Sequence, residues 1–307
     1  MKTFIEIFKC KYPIAVMAMN KVSDVPLAIA VRRAGCLPSL SIFNYFTRIG
    51  VIDPQLLDKD IEQYASAVGD TSILISVDIG NLLDLPGLVD VLLARQVGAV
   101  EIILDDANEN ASNRRRVVLP QVIKQLQQNG SMVFTKTLLP MDVMIGADGI
   151  ILKGPDGAGR GSVSGETLEQ LFDKYLTNFP TQRVITSGGV GTSKQLKYYM
   201  DRGAFGVGIG TMFAVSAESK ISTETKLKLV ASGAADVKRL NNGKTNSDSQ
   251  NAVVFAEVAD DNHNNTRGLM VGIKDPTQGH VFIGKGIEHA NEILTCEAIV
   301  QRLVKDI

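Results

Sequence analysis

The sequence predicts an α/β fold closed as a TIM-type (β/α)8 barrel, with an inserted capping segment after the eighth strand. Two observations carry this. Eight short apolar runs recur, at Tyr12–Met17, Cys36–Ser41, Ser72–Val77, Ala99–Leu104, Met132–Thr135, Gly149–Leu152, Arg183–Thr186 and Phe205–Ile209. They are rich in Val and Ile and mostly lack polar–apolar alternation, the pattern of parallel strands buried on both faces. Segments of helical pattern separate them, which implies parallel pairing through right-handed crossovers, and closure is the simplest arrangement for eight strands. The length of 307 residues suits one barrel of roughly 250 residues enlarged by insertion. An open doubly wound sheet is the alternative. Its marker, a G-x-G-x-x-G turn after the first strand, is missing, because that turn reads Ala18-Met19-Asn20-Lys21-Val22.

The crossover helices follow in order. Val25–Ala34 comes after the capping pair Ser23-Asp24, and Gln55–Val68 after Asp53-Pro54, which sets proline at the first helical position. Leu88–Gln96 ends near Gly98, and Arg115–Gln128 ends at Gly130. The fifth crossover, around Pro140–Ile145, is short. Glu166–Leu176 follows Ser164-Gly165, Lys194–Arg202 follows Thr192-Ser193, and Ser219–Ser232 follows the last strand. The rhythm then breaks. Residues 233–286 contain a loop rich in Asn, Ser and Asp, and three apolar pieces, Val253–Val258, Leu269–Ile273 and Val281–Ile283, that suit short strands or extended segments. A last helix over Glu288–Val304 is expected to pack back on the barrel. Residues 1–232 and 287–307 thus form the barrel, and 233–286 an insert over its mouth.

Composition narrows the function. A formal net charge of −1 gives no field favouring nucleic acid or an anionic membrane. No apolar run is long enough to span a bilayer. The N-terminal stretch alternates charged and apolar residues and lacks the continuous apolar segment of a signal peptide. Cys10, Cys36 and Cys296 fit neither a metal motif nor a disulfide framework. A cytoplasmic setting is expected, with a small-molecule substrate as partner and room for a homo-oligomer.

Two turns carry the chemistry. Ser187-Gly188-Gly189-Val190 follows the seventh strand, and Gly208-Ile209-Gly210-Thr211 closes the eighth. In β/α barrels these two loops commonly bind phosphate. Glycine lets backbone N–H groups close on an oxyanion, a helix N-terminus adds its dipole, and Ser187 and Thr211 add hydroxyls. Such a cradle does not name its ligand. Barrel isomerases and lyases use one for substrate phosphate.

The opening stretch, Tyr12 to Met19 with Val25–Ala34 and Gly35-Cys36-Leu37, resembles the nitronate monooxygenase family, to which flavin-dependent enoyl reductases of the second type are related. The likeness strengthens at Gly146–Ile151 and Gly154–Gly161, and is strongest over Arg183–Ser219. It implies an FMN cofactor. Met17, Ala18 and Met19 then match the strand end whose backbone runs beside the flavin. Lys136, in Phe134-Thr135-Lys136-Thr137, matches an FMN-contacting lysine. Ser187, Gly188, Gly189, Gly210 and Thr211 match the phosphate cradle, and Asp78 falls where the family has an asparagine.

One departure matters. Gly154-Pro155-Asp156-Gly157-Ala158-Gly159-Arg160 stands where the family's segment ends in the histidine that takes a proton from a neutral nitroalkane. Arginine cannot do this, with a pKa above about 12. Arg160 is instead expected to hold an anionic substrate through paired N–H bonds. His263, His280 and His289 all lie in the insert or the last helix and read as surface residues. The function expected is FMN-dependent oxidation of a small anion, such as an alkyl nitronate, by molecular oxygen. The alternatives are an NAD(P)H-dependent flavin enoyl or quinone reductase, a flavin-free barrel enzyme for a phosphorylated metabolite, and a flavin-binding protein without catalysis.

Overall fold

A computed structural model describes residues 2–47, 51–104, 111–137, 146–160, 162, 164–240, 250–256 and 266–307. Each of the eight apolar runs contains a strand: β1 (Ile14–Val16), β2 (Ser39–Ser41), β3 (Leu74–Asp78), β4 (Ala99–Ile103), β5 (Met132–Thr137), β6 (Gly149–Lys153), β8 (Arg183–Ser187) and β9 (Gly206–Ile209). Between β6 and β8 lies a two-residue strand, β7 (Gly159–Arg160), which joins a different sheet. The eight barrel strands pair in parallel in the order β1-β9-β8-β6-β5-β4-β3-β2. A parallel bridge between Ala15 and Leu37 closes the ring, with the Val16 N–H donating to the Leu37 carbonyl at 2.8 Å.

The helices start where their caps dictate. In α2 (Val25–Arg33) the Asp24 carboxylate accepts from the Leu27 N–H, and in α3 (Pro54–Val68) Asp53 accepts from Gln55. Asp78 caps α4 (Ile79–Asp84), a helix lying just before α5 (Leu88–Arg95). The long α6 spans Ala111–Gln128. Thr167 forms a capping box with Gln170 on α7 (Leu168–Asn178), and Thr192 does the same with Gln195 on α8 (Ser193–Asp201). These helices bury one face against the outside of the barrel, with Phe172, Tyr175, Leu196 and Tyr199 in one core cluster and Leu57, Ile61, Tyr64 and Leu92 in another.

Several elements differ from the sequence expectation. The N-terminus forms a helix, α1 (Phe4–Phe8), closed by a Thr3/Glu6 capping box, and it inserts Phe4 and Phe8 into a third core cluster with Phe134. The helix expected over Ser219–Ser232 is present as α10 (Thr223–Val230), starting later because Ser222 is its cap, and a short helix that was not expected, α9 (Thr211–Ala214), stands directly at the end of β9. Leu269–Ile273 belongs to a helix, α11 (Thr266–Gly272), and not to a strand; a short apolar run satisfies either period. The last helix is shorter than expected. A 3₁₀ turn occupies Lys285–His289, and α12 (Cys296–Leu303) begins only after the Thr295 cap. The fifth crossover around Pro140–Ile145 and the acidic group Asp105, Asp106 and Glu109 lie outside the described residues.

Within 233–286, β10 (Val237–Leu240), β11 (Gln250–Ala256) and β12 (Gly279–Val281) make an antiparallel sheet. The near end of β11 also pairs with β7, Gln250 opposite Arg160 and Asn251 opposite Gly159. The sheet is thereby stitched to the loop that follows β6. Among the described residues, no helix is long and apolar enough to cross a membrane.

Candidate active site at the C-terminal mouth of the barrel

A cavity opens where the C-terminal ends of the strands converge. Met17, Ala18 and Met19 line it from β1, Lys136 from β5, Ser187, Gly188 and Gly189 from the turn after β8, and Gly210 and Thr211 from the start of α9. The two glycine turns, 188–189 and 210, therefore face one space. The structure also adds Lys153, Gly157, Ala158 and Gly286 to its wall.

The turns need their glycines. Gly188 has φ of +105° and Gly189 of +87°, values that L side chains rarely adopt. A Cβ on Gly188 would lie 3.0 Å from the backbone N and O of Gly154, and one on Gly189 would lie 3.0 Å from Asp156 Cβ. At Gly208 the would-be Cβ meets Met17 Sδ at 2.5 Å and Ser187 Cβ at 2.9 Å. Gly210 caps α9 without a side-chain hydrogen bond, so no side chain closes off the helix start. Thr211 Oγ1 accepts from the Gly284 N–H at 3.1 Å, which leaves its own proton free to be donated elsewhere. Backbone amides, a hydroxyl on each turn and nearby ammonium groups form a donor set suited to a phosphate.

The cations come from adjacent strands. Lys136 Nζ is ion-paired with Glu101 Oε1 at 2.5 Å. Glu101 stands on β4 and is completely buried, and its Oε2 finds no hydrogen-bond partner among the described residues. Lys153 closes β6, opposite Ser187 of β8. Its Nζ donates to the Ala158 carbonyl at 2.6 Å. Burial pushes the Lys153 ammonium down to about 7, the charges of Lys136 and Arg160 add to this, and Glu101 opposes it.

Arg160 lies on β7, partly buried, beside the cavity and outside its immediate lining. Its charge is close enough to act on Lys153. Among the described residues, no histidine lines the cavity. His280 is buried on β12 and packs against the Phe282 ring at 5.2 Å, which corrects the surface reading. His289 packs against Gly191, and its Nε2 lies 3.4 Å from Glu288. Asp78, occupied with capping α4, is absent from the lining as well. The three cysteines are free and buried.

Fold and site together define a β/α barrel with a glycine-lined cavity at its seventh and eighth strand ends. The chain belongs to the nitronate monooxygenase family, whose model matches residues 1–306, and is thus a flavin-dependent oxidoreductase. No curated protein matches the sequence. Among solved structures, FabK from Thermotoga maritima is similar, with a TM-score of 0.76, 19% identity, and 99% of this chain and 96% of that chain covered. Nitroalkane oxidase from Streptomyces ansochromogenes gives 0.75 and 17%, covering 98% of this chain and 97% of the other. The enoyl reductase domain of MlnA, from the macrolactin cluster of Bacillus amyloliquefaciens, gives 0.71 and 11%, with 98% and 95% covered. At these identities the three likenesses speak for the fold alone.

Proposed function

We propose that this protein binds flavin mononucleotide in the mouth cavity and oxidises a small anion, such as an alkyl nitronate, with molecular oxygen as the final acceptor. One observation carries the reading. Both glycine turns, the end of β1 and Lys136 line a single cavity, with an arginine beside it and, among the described residues, no histidine in its lining. In this reading Ser187, Gly188, Gly189, Gly210 and Thr211 hold the phosphate, and the backbone of Met17–Met19 borders the ring. Lys136, paired with buried Glu101, would be among the residues that hold the flavin. FMN, when bound, supplies the electron-accepting ring that oxygen can restore. Arg160 orients the anion by paired N–H bonds. A substrate that arrives as an anion needs no protein base for its ionisation.

The test is anaerobic mixing of FMN-loaded protein with an alkyl nitronate and, separately, with NADPH. Nitronate should bleach the visible flavin absorbance within seconds, NADPH should leave it unchanged, and admitting air should restore it. Rapid bleaching by NADPH, with none by nitronate, would replace this reading with that of an NAD(P)H-dependent flavin reductase.

A further inference from the structure

Lys153 lines the same cavity as the glycine turns, and nothing above has given it a task. It neighbours Ser187 in strand register. A methyl group added at Gly157 would meet Lys153 Cε at 2.8 Å and Gly188 Cα at 3.2 Å. The end of the lysine and the Gly188 turn thus both lie close to the same residue, one with no side chain. Its one hydrogen bond among the described residues runs to a neutral acceptor, the Ala158 carbonyl. Lys136, by contrast, already has its carboxylate.

We propose that Lys153 is the ammonium that grips the phosphate of FMN in this cavity, and that Nζ takes up a proton from solvent as the phosphate enters. This rests on the FMN reading above. The charged groups facing Lys153 are Lys136 from β5, Glu101 from β4 behind it, and Arg160 from β7. Asp156, in the same loop, pairs with Lys285 at 2.7 Å. Burial first, and then two cations against one carboxylate, bring the amino group down to about 7. A dianion nearby reverses that balance and favours the charged form. The step balances simply: one proton leaves bulk water or buffer, one N–H bond forms on Nζ, and no bond to phosphate is made or broken.

The sign of the pH dependence follows. Above the free amine's midpoint each binding event must import a proton, so affinity drops with rising pH until the midpoint of the complex is passed. The phosphate's own second ionisation, at about 6, is finished by then. FMN affinity of the full-length apoprotein, read by flavin fluorescence, should fall about tenfold per pH unit between pH 7.5 and 9. Calorimetry in buffers of different ionisation heat should find close to one proton taken up near pH 8.5. Riboflavin, the same ring without phosphate, should show neither effect. Lys153→Met should bind FMN about 10- to 100-fold more weakly at pH 7, with no pH slope. Lys153→Arg, charged throughout, should bind tightly, also without slope. Tight FMN binding with no proton uptake by the wild-type protein overturns the clamp and leaves the cofactor reading intact. A slope retained in Lys153→Met does the same. Absence of FMN binding at every pH overturns both.

Discussion

A single carboxylate inside the barrel sets the electrostatics of the mouth. Glu101 is wholly buried on β4 and holds Lys136 at 2.5 Å, so each residue makes the other's charge tolerable. Neutralising one member of a buried pair strands the other. Glu101→Gln should therefore lower unfolding stability by about 3 kcal/mol, and Glu101→Met combined with Lys136→Met should recover much of that loss. Chemical denaturation of the single and double variants checks this through the coupling energy. Neither Glu101 nor Lys153 was legible in the sequence as a site residue. Glu101 is embedded in the apolar run Ala99–Leu104, where one charge reads as an interruption, and Lys153 ends a strand, where lysines usually reach water. The glycines were legible because a turn with positive φ and so close a backbone neighbour tolerates little else. Arg160 was legible through the family's departure at that position, and the structure sets it beside the cavity on a strand too short for any periodicity to reveal.

Elements were readable in proportion to their length and to the clarity of their burial. The eight barrel strands stand out because most are rich in apolar residues without regular alternation, and the crossover helices because their caps are local chemistry. What failed was short or two-valued: β7 has two residues, and the apolar core of α11 fits a strand as well as a helix. The pairing of β7 with β11 is a long-range choice of this kind. Its anchor is Asn251, whose Nδ2 donates to the carbonyls of Pro155 at 2.7 Å and Gly157 at 2.8 Å. These bonds tie residues 250–256 to the loop that carries Gly157, Ala158 and Arg160. Asn251→Ala should cost about 1–2 kcal/mol of stability, since it leaves two carbonyls without a donor. Because the loop also walls the cavity, FMN affinity should weaken about five- to tenfold, the larger part in a faster dissociation rate. Stopped-flow release of FMN, set beside equilibrium titration, measures both. An unchanged release rate would mean that the insert braces the fold without shaping the site.

At the scale of the whole molecule the barrel has two ends with separate duties. The glycine turns, Lys136, Lys153 and Arg160 gather at the C-terminal mouth, where strand ends and loops supply donors. The opposite end is plugged by α1. Phe8 packs edge-on against Phe4 at 4.8 Å and Phe205 at 6.3 Å, and tilted against Phe134 at 6.5 Å. Phe4 also occupies the space beside Gly206, where a Cβ would strike its ring at 2.7 Å. All four rings are apolar, and Phe4, Phe8 and Phe134 are buried, so what they contribute at this end is packing. The division predicts an asymmetry between stability and binding. Phe8→Ala opens a cavity under the barrel floor and should destabilise the protein by about 3–4 kcal/mol. The mouth lies at the other end of strands that still pair in full, so the dissociation constant for FMN, measured well below the melting temperature, should stay within about twofold of wild type. Apolar packing at the base and polar donors at the mouth would then be separable by mutation. A large loss of FMN affinity in Phe8→Ala would show instead that the barrel transmits strain along its strands and that the two ends are one cooperative structure.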